Sequence, residues 1–298
     1  MEYVQINKDI QFSRIIHGMW RLLEWDLSID ELARFVEECL EMGVTTFDTA
    51  DIYGGLMVNS RLGELFASRP DLRNRITLIS KAGIKIPVPE SGYTIGHYDS
   101  SYDHIVHVVD DTLERMNIEN LDVLLIHRPD LLMDGREVAR AFADVKKAGK
   151  VRAFGVSNFY VPHFEHLQEF CEEPLVTNQI EVSPVCFEHF KNGMMDYLMQ
   201  HQIHPMIWSP LAGGKIFTSN EPKYVALRDT LNKIAADHGT SADAIAYAWL
   251  LKHPVKMMPI VGSGRIGRVM TAVDALDINL TQEEWYRIAI ASGDYEVI

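Results

Sequence analysis

Short apolar, β-branched runs recur along the chain, separated by segments whose apolar residues return every three or four positions. Eight such runs stand out: RIIHGMW, VTTFDTA, ITLISKAG, LDVLLIH, VRAFGVSN, LVTNQIEVS, IHPMIWSP and KMMPIVGS. The intervening helical spacing is clear at Val108, Thr112, Leu113 and Met116, at Val138, Phe142 and Val145, and at Phe164, Leu167 and Phe170. Strands alternating with helices predict a parallel sheet joined by right-handed crossovers, and runs that are apolar throughout predict strands covered on both faces. Gly43 and Gly149 fall where helix C-terminal glycines belong. Ahead of the repeat, VQI and IQF flank Asn7-Lys8-Asp9, which reads as a hairpin capping one end.

No proline- or serine-rich linker breaks the alternation, so eight βα units in 298 residues predict one α/β domain over residues 1–298, a (β/α)8 TIM barrel with an N-terminal β-hairpin cap. Two polar, glycine-containing stretches, residues 86–101 after the third run and 211–224 after the seventh, are long enough to be functional loops.

Composition narrows the function. Hydrophobic residues make up 47% and charged residues 23%, ordinary globular usage that excludes a disordered, collagen-like or disulfide-scaffold chain. A net charge of −14 disfavours nucleic acid and anionic membranes as partners. The three cysteines are dispersed and odd in number, which suits reduced thiols in the cytoplasm. The first residues lack a basic and then apolar leader, and no apolar run approaches membrane length, so neither export nor a membrane span is expected.

Barrel enzymes place their chemistry at the C-terminal ends of the strands. Here the second run ends in Asp48 with Tyr53 shortly after, the third in Lys81, the fourth in His127, the fifth in Ser157-Asn158; the sixth carries Gln179 and the seventh ends in Trp208-Ser209. A lysine buried at a barrel mouth needs a counter-ion such as Asp48. Its ammonium would favour the phenolate of Tyr53, lowering a pKa of about 10 and making Tyr53 a general acid near neutral pH. Such a group suits protonation of an oxygen on which negative charge develops.

The segment Gly262-Ser263-Gly264-Arg265-Ile266-Gly267 matches G-x-G-x-x-G. Too little chain follows it to complete a doubly wound sheet, so it reads as a phosphate loop after the eighth strand, flanked by Arg265 and Arg268.

FDTADIYG (47–54), LISKAG (78–83), VLLIHRPD (123–130), GVSNF (155–159) and NQIEVSP (178–184) together resemble the aldo-keto reductase superfamily, most nearly its bacterial YdhF-type oxidoreductase branch. The resemblance spans the chain in order. It implies reduction of aldehydes or ketones with NADPH, a catalytic tetrad of Tyr53, Lys81, Asp48 and His127, and a small-molecule carbonyl substrate. In that scheme Tyr53 donates the proton, Lys81 lowers its pKa, Asp48 holds Lys81 and His127 orients the carbonyl. The resemblance also implies cofactor contacts. Ser157, Asn158 and Gln179 would hold the carboxamide, Trp208 would stack on the nicotinamide, and Ser209, Pro210, Leu211, Gly214 and Lys215 would follow the pyrophosphate. Gly18, Met19, Trp20, Arg21 and Asp48 would add further contacts. Gly262, Ser263, Arg265 and Arg268 would take phosphate, with Ser263 and Arg268 on the adenosine 2′-phosphate. The Glu-Asn pair that family members often use for adenine is Thr271-Ala272 here.

A cofactor-binding regulatory subunit resembling potassium channel β-subunits is the alternative from another class. A barrel glycosidase would need a carboxylate pair such as Asp48 and Glu181. His104, His107 and Asp111 share a helix face by spacing, as do His163 and His166, but no metal motif accompanies them, so no metal is expected. Trp20, Tyr53, His127 and the two long loops are the expected specificity elements; the sequence leaves the physiological substrate and the oligomeric state open.

Overall fold

The eight apolar runs close into a barrel in the computed structural model, which describes residues 1–89 and 91–297. An antiparallel hairpin, β1 (Tyr3–Gln5) and β2 (Gln11–Ser13), comes first; its turn is tied by the Asn7 side-chain oxygen, which accepts from the amides of Asp9 and Ile10. The barrel strands are β3 (Ile16–Gly18), β4 (Thr46–Asp48) and β5 (Thr77–Ala82), then, after a small antiparallel pair β6 (Ile84–Lys85) and β7 (His97–Tyr98), β8 (Leu121–Ile126), β9 (Val151–Ser157), β10 (Asn178–Glu181), β11 (Met206–Trp208) and β12 (Met258–Val261). Each pairs in parallel with the next, and β12 returns to β3 through Ile260 beside Ile16.

Strand side chains alternate between two cores. On β8, Leu124 and Ile126 pack outward under the helices, while Val123 and Leu125 point into the barrel with Ile16, Ile79, Ala153, Met206, Met258 and Ile260. Val4, Ile10 and Phe12 of the hairpin join that interior cluster, so the N-terminal turn is the barrel's floor. Arg14 fastens it by donating to the carbonyls of Met257 and Leu251, both at 2.8 Å.

Local chemistry sets the helix ends. Ser28 and Glu31 form a capping box on helix Ile29–Glu41, which ends before Gly43 at φ 81°. Gly149, at φ 74°, plays the same part after helix Gly135–Lys147.

Two expectations need correction. Phe170 does not share the buried face of Phe164 and Leu167. It sits in the last turn of helix Val161–Phe170, 39% exposed, with its ring against Gly135, where an added Cβ would lie 2.6 Å away. The stretch 211–224 is also less of a loop than its composition suggests: it holds a 3-10 turn (Ala212–Gly214), a short helix (Lys215–Thr218) and the start of helix Pro222–His238, in which Tyr224 is buried. Among the described residues, no helix is long and apolar enough to cross a membrane.

Candidate active site

Period-two alternation carries the inward register of each strand two residues further, to its C-terminal end. From the interior residues Ile16, Ile79, Leu125, Met206 and Ile260 the same face continues to Gly18, Lys81, His127, Trp208 and Gly262, and Asp48, Ser157 and Gln179 join them. All of these except Lys81, which is fully buried beneath the surface, line one cleft of about 880 Å³ at the mouth. Gly18 is required by close approach, since a Cβ there would come within 2.6 Å of Ile260.

The Lys81 ammonium is bonded to both carboxylate oxygens of Asp48 (2.8 and 2.7 Å), the Thr49 carbonyl (2.7 Å) and the Tyr53 hydroxyl (3.1 Å). Gln179 reaches across the barrel to donate to the same Asp48 at 2.8 Å. Burial opposes the charge on Lys81, but Asp48 and Tyr53 together outweigh it and push the ammonium up. Burial likewise pushes Asp48 up, against the pull of Lys81 and Gln179.

Tyr53 departs from the expectation that Lys81 lowers its pKa below the usual tyrosine value. Lys81 does pull it down, yet burial, reinforced by the nearby Asp48 carboxylate, outweighs that pull and raises the phenol. At neutral pH Tyr53 therefore keeps its proton and can give it away. His127 packs edge-on against Tyr53 with ring centroids 5.9 Å apart. Burial, with Lys81 and Arg128, holds its imidazole well below the usual histidine range, hence neutral. Its Nδ1 is buried without a partner, which leaves Nε2 as the nitrogen open to the cleft.

A second network runs along the wall. Trp208 Nε1 donates to Asn158 Oδ1 at 2.9 Å, Asn158 Nδ2 donates to Ser157 Oγ at 2.8 Å, and Ser157 Oγ donates to the Gln179 carbonyl at 3.0 Å. Asn158 (φ 60°) and Ser209 (φ 49°) hold left-handed backbone conformations where their strands end, strain of the kind that collects at functional sites.

At the far end, β12 delivers the chain to Gly262, and helix Ile266–Asp274 begins after Arg265, so the G-x-G-x-x-G segment is a loop between the eighth strand and a helix. His17 sits beneath it, its Nε2 donating to the Ser263 carbonyl at 3.1 Å, and burial lowers its pKa to about 4, so the ring is neutral at physiological pH. Trp25 presses on the loop at Gly264, where an added Cβ would fall 2.4 Å from the indole. Gly264→Ala is accordingly expected to destabilise the fold by ~1–3 kcal/mol through overpacking. A urea midpoint equal to that of the unmodified protein would rule out the close packing.

Of the sequence-derived contacts, Gly18, Trp20, Arg21, Asp48, Tyr53, His127, Ser157, Asn158, Gln179, Trp208, Ser209, Pro210, Leu211, Gly214, Gly262, Ser263 and Arg268 border the cleft. Met19 lies beneath it, 1% exposed, and Lys215 and Arg265 are exposed on its margin outside the lining. Ala272 is fully buried and so turned away from any adenine. Arg128, Ile52, Ile84, Phe217 and Tyr247 also line the cleft and were not singled out from sequence. Asp48 is fully engaged by Lys81 and Gln179, and Glu181 does not line the cleft, so they do not form a glycosidase pair. Asp111 is bonded to Arg115 at 2.6 Å, and among the described residues no three His, Cys, Asp or Glu side chains gather to hold a metal.

The sequence profile described as the Aldo/keto reductase family matches residues 14–292. The chain belongs to this family. Membership places it among oxidoreductases that act on carbonyl compounds. It is 43% identical over 288 residues to the oxidoreductase YdhF of Escherichia coli (strain K12), covering 96% of each chain. It is 38% identical over 290 residues to a 6-dehydroglucose reductase of Agrobacterium fabrum, covering 97% of each. Among solved structures, the glycerol dehydrogenase from Gluconobacter oxydans superposes with a TM-score of 0.82 at 25% identity, over 99% of this chain and 97% of that one.

Proposed function

We propose that the protein reduces aldehydes or ketones with NADPH, using Tyr53 as the proton donor. The observation that carries this is the Tyr53 hydroxyl, held by Lys81 at 3.1 Å beside a neutral His127 in the floor of the cleft. A relative named 6-dehydroglucose reductase supports the reaction class.

The residues present fit an extended dinucleotide. The cleft runs from Trp20, Tyr53 and His127 to Ser263 and Arg268, and Gly213, Gly214 and Gly262 leave open backbone along it, with no atom within 4 Å of an added Cβ. Arg268 is exposed at the start of helix Ile266–Asp274, where backbone amides and a guanidinium suit a phosphate. Trp208, Asn158 and Gln179 would hold the nicotinamide end, Ser209 to Lys215 the pyrophosphate, and Ser263 with Arg268 the 2′-phosphate. The hydride is the chemistry that a reduced nicotinamide supplies when bound.

The chain's own residues supply the rest. His127 Nε2 orients the carbonyl oxygen, and Tyr53 passes its hydroxyl proton to that oxygen as negative charge develops on it. Lys81 stabilises the phenolate left behind, and Asp48, braced by Gln179, keeps Lys81 charged and in place.

Two measurements test this. Turnover of a panel of aldehydes with NADPH is expected; tight NADPH binding without multiple turnovers would instead support a regulatory subunit. Arg268→Ala is expected to weaken NADPH binding ~10-fold or more while leaving NADH within ~2-fold. Equal losses for the two would refute the 2′-phosphate assignment.

A further inference from the structure

Arg128 follows His127 directly, is half-buried, and borders the cleft at its reacting end. Its guanidinium meets no carboxylate within 4.0 Å and makes no hydrogen bond among the described residues. Arg73 and Arg228, also half-buried, are engaged, the first with Asp122 at 3.0 Å and the second with the carbonyls of Ile216 and Ser219. Arg21, on the Trp20 side of the same cleft, is like Arg128 without an ion pair among the described residues and lies 5.2 Å from the Trp20 ring centroid. Instead of reaching into solvent, Arg128 lies over the Trp208 ring, 5.6 Å from its centroid. Its charge still reaches the reaction centre, since it adds to burial and Lys81 in keeping His127 neutral. Lys81 is balanced by Asp48, whereas Arg128, next to His127, has no carboxylate in ion-pair range among the described residues; Glu181 acts on it only from further off, and the cleft wall holds Trp20, Ile52 and Ile84 together with Arg21. A half-buried guanidinium with no ion-pair partner is free to take one from a ligand, and its planar fork matches a carboxylate or phosphate edge in a bidentate way.

We propose that Arg128 recognises an anionic group on the substrate, so that the protein prefers carbonyl compounds carrying a carboxylate or phosphate a few bonds from the reacting carbonyl. The proposal rests on the carbonyl-reductase function and names its substrate class.

The test compares kcat/KM for two matched pairs: succinic semialdehyde against pentanal, and glyceraldehyde 3-phosphate against glyceraldehyde. The anionic member of at least one pair is expected to be favoured ~10-fold or more, and which pair shows it separates carboxylate from phosphate. Arg128→Met should abolish that preference mainly through KM, the anionic members losing ~10-fold more than the neutral ones, and Arg128→Lys should keep part of it as a point charge. A wild-type preference for the neutral members, or an equal loss on both in Arg128→Met, overturns the proposal. So does a shift in NADPH affinity with no change in charge preference. Calorimetric titration with succinate and with glycerol 3-phosphate reads the anion site in a protein that reduces nothing, so failure of the reductase function is told apart from failure of this site. Binding of either that is lost in Arg128→Met supports it, and absence of binding by both overturns it.

Discussion

Tyr53→Phe is expected to lower carbonyl reduction by ~10²–10⁴-fold while leaving the fold and NADPH binding close to wild type. The asymmetry follows from how Lys81 is held. Its ammonium has three protons and four neighbouring acceptors: two Asp48 oxygens, the Thr49 carbonyl and the Tyr53 hydroxyl. Removing the phenolic oxygen leaves three acceptors for three protons, so no buried donor is orphaned and the stability cost should stay within ~1.5 kcal/mol. The rate cost is different in kind. His127 is held neutral and cannot take over as a strong acid near neutrality, because burial, Lys81 and Arg128 all oppose a second proton on it. Single-turnover NADPH oxidation with saturating aldehyde, alongside urea denaturation and NADPH fluorescence titration, separates the effects. Retention of near wild-type kcat in the Phe variant would remove Tyr53 from the mechanism.

The sequence made the barrel readable because its two cores impose two periodicities at once. Several strands, β8 above all, are apolar on both faces, and the helices between carry stripes at Val108, Thr112 and Met116 or Val138, Phe142 and Val145 that the structure buries. The strand-end groups were readable for the same reason: Asp48, Lys81 and His127 are polar residues on the inward register of otherwise apolar runs. Arg128 was not, because whether an arginine is paired is a tertiary property; HRPD shows a charge, and only the fold shows that it lies over Trp208 with no ion pair among the described residues. Phe170 obeyed helical spacing but is the last residue of its helix, where its ring turns to Gly135 and not to the face of Phe164 and Leu167. The direction of the Tyr53 shift was hidden for a related reason. Sequence names the neighbouring charges, but burial decides the balance among opposing effects, and burial exists only after folding.

Lys81→Met tests the buried pair from the other side and should fail in both stability and rate. The side chain of Lys81 is fully buried and that of Asp48 is 4% exposed, with 2.7 Å between the charged atoms. Such a pair adds little net stability, but removing one partner strands the other charge at a cost of ~3–5 kcal/mol. The pH dependence identifies the stranded group. Without Lys81, burial raises the Asp48 carboxyl further, so the unfolded state ionises at lower pH than the folded one. Stability is then fully present below the unfolded carboxylate pKa of ~3.9 and is lost as pH rises through the raised folded value. Relative to wild type, the variant should therefore be most destabilised near pH 7.5 and regain part of the deficit near pH 5. Adding Asp48→Asn should restore most of the stability at pH 7.5, since the stranded charge is gone, while activity stays ~10²-fold or more below wild type because no cation remains beside Tyr53. Urea midpoints at the two pH values and NADPH-dependent aldehyde turnover decide it. A Lys81→Met variant as stable as wild type at pH 7.5, or a double variant no more stable than the single, would show that the two charges are not coupled as their geometry requires.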